Sequence, residues 1–488
     1  MRKRGFRVGL PVLLGVLLPG LCVISSVAGA SPSPGFPGFA AGFSSPVRLS
    51  ETPHDWQFAV NDRGEAVGVY GAEAGATVVR LGRSGRVVGS WLVRAPAHVG
   101  SVGAQVSVGE RGQVVVGLSY GDGLLEASHE EHGGPGCCEH LAVASWRLGQ
   151  SPPVVAQPVS PVLGVPADVD DQPSQLQLAI GAGSTVTAVW MRGSAGPGPY
   201  GGEGGEAQVE EAYGRVGGPL RTVRLLTVAH RVSFLDLHVA PNGRAVASWV
   251  DDGDVIRTVT GMSSGALRAP GRFQRVSHLV TGVGFLYDDR GDTVFSYVTG
   301  SWLEGGKLMM VAGTSAGARF AAPRRIASIP PEAGEIVLSA GGDRSVMALW
   351  TIPRGVTSKR GLIQRLYARR MIVFGGLGPL LQVDQTSFYE DATGFIDSQR
   401  RSVVIHRGPD TSHPGQFEQQ ASIADPNGPF KGPYRLAPGL PGCSLDTGEE
   451  REIQPIATSP NAAQAVLYLT CNEPGEREGP QYLIRYGA

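Results

Sequence analysis

The densest run of chemistry-bearing side chains is HEEHGGPGCCEH, residues 129–140. His129, His132, Cys137, Cys138 and His140 offer imidazole and thiolate donors, which zinc and copper favour. Their spacing fits none of the recurrent zinc patterns, and two adjacent cysteines coordinate one ion awkwardly. A vicinal disulfide, or free thiols in a solvated loop, is the competing reading of the same residues. Zinc or copper here is an expectation from ligand type alone.

Cys443 and Cys471 stand apart from that run. In an exported chain they are expected to form a structural disulfide worth roughly 3 kcal/mol in the chain-entropy description. Three further stretches match known motifs poorly. GTSAG at 313–317 has the spacing of a nucleophile elbow around Ser315, but that motif needs a strand before it and a helix after it. The related GMSSGALRAPGRF at 261–273 occupies the same place in another repeat, so the repeat explains it. RGD at 290–292 and DDGD at 251–254 read as turns, the second lacking the spaced ladder of a calcium loop.

The repeat is what must position any of these groups. LHVAPNGRAVASWV at 237–250 is an apolar strand, a tight turn and a second strand ending on an aromatic; variants recur at FAVNDRGEAVGVY, VSVGERGQVVVGL and FLYDDRGDTVFSY. Asn-Gly and Arg-Gly supply the positive φ that a tight hairpin needs. A third strand and a fourth follow, the fourth with endings such as RFQRVSHL and PFKGPYRLA. The hairpins begin near Phe58, Val106, Leu176, Leu235, Phe285, Ile336, Phe395 and Ile453, roughly 50–70 residues apart.

Four short antiparallel strands per unit, apolar on both faces, cannot bury themselves alone; stacked around an axis they can. The sequence therefore predicts an all-β fold, a β-propeller of eight four-stranded blades, with seven as the alternative count. His406 and Leu469 stand where units seven and eight should carry their aromatic. The last unit ends at QYLIRYGA without a fourth strand, while FSSPVRLS at 43–50 matches that strand's ending. The N-terminal strand is expected to complete the last blade and close the ring, leaving no exposed edge.

Before it, residues 1–30 have the pattern of a cleaved signal peptide: basic MRKRGFR, an apolar run, then Ala28-Gly29-Ala30. Residues 31–42 form a Pro/Gly/Ser linker and 43–488 a single propeller domain. The expectation is secretion, with no membrane attachment after cleavage. The net charge of −1 provides no basic patch for nucleic acid, and 71 Gly with 36 Pro suit a chain of turns.

The units carrying NGRAVASW (242–249) and GSTVTAVW (183–190) resemble a loosely defined group of secreted bacterial β-propeller repeat proteins. That resemblance covers residues 43–488 and implies an architecture, not an activity. Quinoprotein alcohol dehydrogenases also place a vicinal disulfide on an eight-bladed ring, but their tryptophan docking repeats are absent here. Sialidase boxes are absent too, since the aromatic follows the turn glycine by the distance from Gly243 to Trp249.

The connections between second and third strands (121–140, 192–206, 351–361, 407–416, 472–480), and between fourth and first (153–174, 378–394, 437–452), are the long ones. They all lie on one face of the disk, where binding is expected. Lacking a catalytic signature, the chain reads as a monomeric, non-catalytic module binding an extracellular protein or carbohydrate. The alternative is an exported hydrolase or lyase with its site at the axial mouth, where convergent Asp, Glu or His side chains would mark it.

Overall fold

The computed structural model describes residues 42–487, apart from connecting segments of which the longest are 122–139, 161–172, 193–206, 446–455 and 472–479. There are eight antiparallel sheets among the described residues; seven have neighbouring strands hydrogen-bonded in sequence order, and the eighth combines strands from both ends of the chain. Blade four is typical: Val232–Val239, Arg244–Asp251, Val255–Met262 and Arg268–Arg275, from axis to rim. Successive first strands touch one another from Gln57–Val60 through to Ile456–Thr458 and back, so the ring is closed.

The last blade takes its outer strand from the chain's start. Val47–Ser50 pairs antiparallel with Gln481–Tyr486, with Val47 opposite Leu483, and Phe43 bridges to Tyr486. The expected closure is therefore present, and it covers the edge of Gln481–Tyr486 that would otherwise be open. The count of eight also stands. His406 and Leu469 occupy the second strands of blades seven and eight, and each is fully buried, as an aromatic there would be.

Each blade is apolar on both faces because both faces are covered. Trp190, Trp249 and Trp350 are among the largest fully buried side chains, all on second strands between neighbouring blades. Burying an aromatic of this size contributes more than any single polar contact in the ring, on the order of 2–3 kcal/mol.

A polar belt runs around the face that carries the hairpin turns. Asn61 Nδ2 donates to the Gly109 carbonyl (2.9 Å), Gln113 Nε2 to Ser184 Oγ (2.9 Å), and Thr185 Oγ1 to Ser263 Oγ (2.7 Å). His238 hydrogen-bonds to the Asp288 backbone, Arg344 pairs with Asp292 (2.8 Å), and Arg370 donates to the Arg400 carbonyl. Tyr486 donates to Asp397 (2.6 Å), and Arg485 donates to the Gly64 and Gly82 carbonyls (2.7 and 2.6 Å). Every seam thus has at least one polar tie from a turn or strand end to the next blade. Asp292, the carboxylate of the RGD turn, is committed to that belt and buried.

The long connections 122–139, 161–172 and 193–206 lie outside the described residues. Two expected insertions are instead regular structure. Strands Ser345–Thr357 and Gly361–Ile372 form a long hairpin across 351–361, and Leu377–Thr386 fills most of 378–394. Cross-strand pairing, with a register shift between Pro353 and Val356, satisfies most of this backbone.

Candidate functional site at the axial mouth

The eight innermost strands decide what a ligand entering along the axis would meet. Most supply small or apolar side chains, such as Ala59, Ala104, Val106, Ile180, Val337 and Ala457. One stretch departs. The first strand of blade four reads VSFLDLHV, and Asp236 and His238 are the carboxylate and the imidazole of the innermost strands.

Backbone irregularity aims this strand. Its pairing with Arg244–Asp251 shifts register between Ser233 and Asp236, and Phe234 within that bulge holds φ at +54°. The first strand of blade three has the same device, with a shift between Ser174 and Gln177 and Gln175 at φ +51°. The two bulges are tied together, the Leu235 amide donating to Gln175 Oε1 at 3.4 Å. A bulky residue in the left-handed region costs on the order of 1–2 kcal/mol. Here the result is an aromatic ring 36% exposed beside the mouth, with its centroid 6.0 Å from that of Phe295.

Below Phe234 lies the acid–base group. Burial raises the Asp236 carboxyl to about 6, against the lowering effect of the Leu237 amide that donates to its Oδ1 at 2.7 Å. Burial pushes His238 down to about 4, partly opposed by its hydrogen bond to the Asp288 backbone. Its Nε2 has no hydrogen-bond partner, and its ring stacks on Tyr287 of blade five at 5.1 Å and 4°. Near neutral pH this leaves a neutral imidazole and a carboxyl that titrates close to the working range, the pairing that proton transfer uses.

A second polar group is sealed between blades six and seven. His406 Nε2 lies 3.1 Å from Ser422 Oγ and 4.0 Å from Asp384 Oδ2. These are the residue types of a hydrolytic triad in the wrong arrangement. Both partners meet the same ring nitrogen, whereas a triad needs the carboxylate on Nδ1. His406 and Ser422 are also closed to solvent at 0% and 1% exposure. Burial lowers His406 to about 4, with Asp384 opposing, so this imidazole is neutral structural filling.

Of the residues singled out in the sequence, His129, His132, Cys137, Cys138 and Ser315 lie outside the described residues. His140 opens the third strand of blade two, buried, its ring 5.5 Å from that of Tyr120. Among the described residues no group of three His, Cys, Asp or Glu could hold a metal ion. Cys443 and Cys471 face each other in register and form a disulfide. In DDGD, Asp251 is buried and paired with Arg257 at 2.5 Å. The mouth residues Phe234, Asp236 and His238 carried a signal the motif search passed over: polar side chains in a strand whose counterparts are apolar.

No protein-family model matches this chain, and no curated protein matches it. Solved structures share its fold. It is similar to the polysaccharide lyase Uly1 at 8% identity and TM-score 0.44, over 91% of this chain and 92% of the lyase. It is similar to puromycin hydrolase at 13% identity and TM-score 0.39, over 88% of this chain and 60% of the hydrolase. NanB sialidase from Streptococcus pneumoniae is a third, at 8% identity and TM-score 0.35, over 91% of this chain and 95% of the sialidase. At such identities the likeness is one of propeller architecture alone.

Proposed function

We propose that this is an exported propeller enzyme that cleaves a carbohydrate linkage at its axial mouth, by hydrolysis or elimination. The observation that carries the reading is one innermost strand, the first of blade four, that holds an exposed Phe234, Asp236 and His238, with His238 stacked on Tyr287 of blade five. The exposed phenyl ring is a stacking platform for the apolar face of a sugar. Asp236, holding a proton below about 6, donates it to the leaving oxygen. His238, neutral above about 4, is the complementary acceptor. Among the described residues Asp236 is the carboxylate of the innermost strands, without the second carboxylate that most glycoside hydrolases pair with it. Export rests on the leader at residues 1–30 and accords with the disulfide.

A second reading, the non-catalytic carbohydrate-binding module, is favoured by Phe234 alone. Purified protein incubated with a panel of neutral and acidic polysaccharides separates the two. New reducing ends or unsaturated products, lost in Asp236→Asn while affinity is kept, support the enzyme. Affinity without turnover, lost in Phe234→Ala, supports the module. Neither binding nor turnover across the panel overturns both.

A further inference from the structure

The hairpin-turn face of the disk holds a second site, built from arginine. At the turns of blade one, which Arg485 of blade eight reaches, there is a cavity of about 480 Å³ lined by Arg63, Arg80, Arg83, Glu65 and the turn backbone at Gly64 and Gly82. Arg485 sits behind it, 1% exposed, reaching from the last strand to the carbonyls of those two glycines. Its Nε has no partner, and no carboxylate among the described residues pairs with it. Gly64 is required there: at φ +75°, an added Cβ would stand 3.4 Å from Arg485 Nη2.

A buried cation normally has an anion beside it, because desolvation without compensation costs several kcal/mol. Here the compensation is two carbonyl dipoles. The neighbouring charge is of the same sign: burial, then Arg83, both lower the Arg485 pKa. Glu65, the carboxylate lining the cavity, accepts a hydrogen bond from Asn61 at 2.9 Å. Three guanidinium groups thus line the cavity against one carboxylate, with Glu110 near Arg63 at its edge.

We propose that this cavity binds an oxyanion, the sulfate, phosphate or carboxylate group of an anionic ligand, through Arg63, Arg80 and Arg83 with Arg485 behind them. Planar guanidinium forks match such groups by paired hydrogen bonds. Because the cavity abuts the closing seam, an occupant also ties the first blade to the last.

The test is calorimetric titration and thermal unfolding of the whole mature protein with sodium sulfate, phosphate and glucuronate, at constant ionic strength against chloride. Saturable heat and a saturable rise in midpoint are expected for at least one of the three. The ranking of the three tells a tetrahedral oxyanion from a carboxylate. Both responses should fall at least threefold in Arg83→Gln and Arg80→Gln, while Arg290→Gln, an exposed arginine in another turn, responds as wild type. Sulfate and phosphate also stabilise proteins generally by exclusion from their surfaces, without saturation. An unsaturated rise identical in all four proteins, or no binding heat, overturns the proposal.

Discussion

Trp56 donates its indole N–H to Gln481 Oε1 at 3.1 Å, joining the first blade to the last across 425 residues of sequence. The same oxygen accepts the His54 amide at 3.1 Å, and Gln481 Nε2 donates back to the His54 carbonyl at 3.1 Å. Gln481 is itself fully buried.

Gln481→Ala should therefore cost more than an ordinary hydrogen bond, about 2–4 kcal/mol, since it strands buried donors in addition to losing the contacts. Chemical denaturation measures it. Deleting residues 43–50 should be more severe: the outer strand of blade eight is lost, and the exposed edge should show as aggregation in size-exclusion chromatography.

Reduction of Cys443–Cys471, or the double change to alanine, should lower stability by about 3 kcal/mol, for a sequence separation of 28. The comparison is denaturant midpoints with and without reductant. The effect should vanish in the double variant.

Glu211 is buried in blade three, and burial raises its carboxyl to about 7 against the lowering effect of the Leu267 amide that donates to it at 3.0 Å. Between the ordinary carboxyl range and about 7 the folded chain holds a proton that the unfolded chain has released. The stability linked to that proton is present at low pH and is lost as pH rises through 7. Glu211→Gln should thus match wild type near pH 4.5 and exceed it by about 2 kcal/mol at pH 8, read from paired denaturation curves.

His406 has the opposite sign. The unfolded imidazole takes up a proton near its ordinary value, while the folded one, lowered by burial, resists until about 4. Stability is lost as pH falls through that window. His406→Phe, which restores the aromatic type found at Trp350 in blade six, should flatten the acid side of the pH–stability curve.

Turnover by wild type should decline as pH rises through about 6, as Asp236 gives up its proton, and decline again toward 4 as His238 gains one. A pH profile of kcat/KM checks this. A flat profile from 4 to 8 would remove Asp236 from the chemistry.

Much of the fold was legible in the chain before any coordinates. Hairpin turns such as Asn242-Gly243 and Arg290-Gly291 are local, and alternation marks strands by itself, so the repeat and its closing segment can be read directly. The long hairpin of blade six was read as an insertion, because Pro353 and Gly355 weigh against a strand unless pairing overrides them.

The sequence by itself determined the repeating unit and the strand that closes the ring, because those depend on turn chemistry and on short strands apolar on both faces, while the choice of eight blades over seven came from the sheets themselves. Only the tertiary structure decided that His238 stacks on Tyr287 at one seam, that His406 and Ser422 are sealed in another, and that Arg485 stands behind Arg83. Those partners belong to different strands or different blades. Their meeting is fixed by the packing of one sheet on the next, which no local pattern encodes.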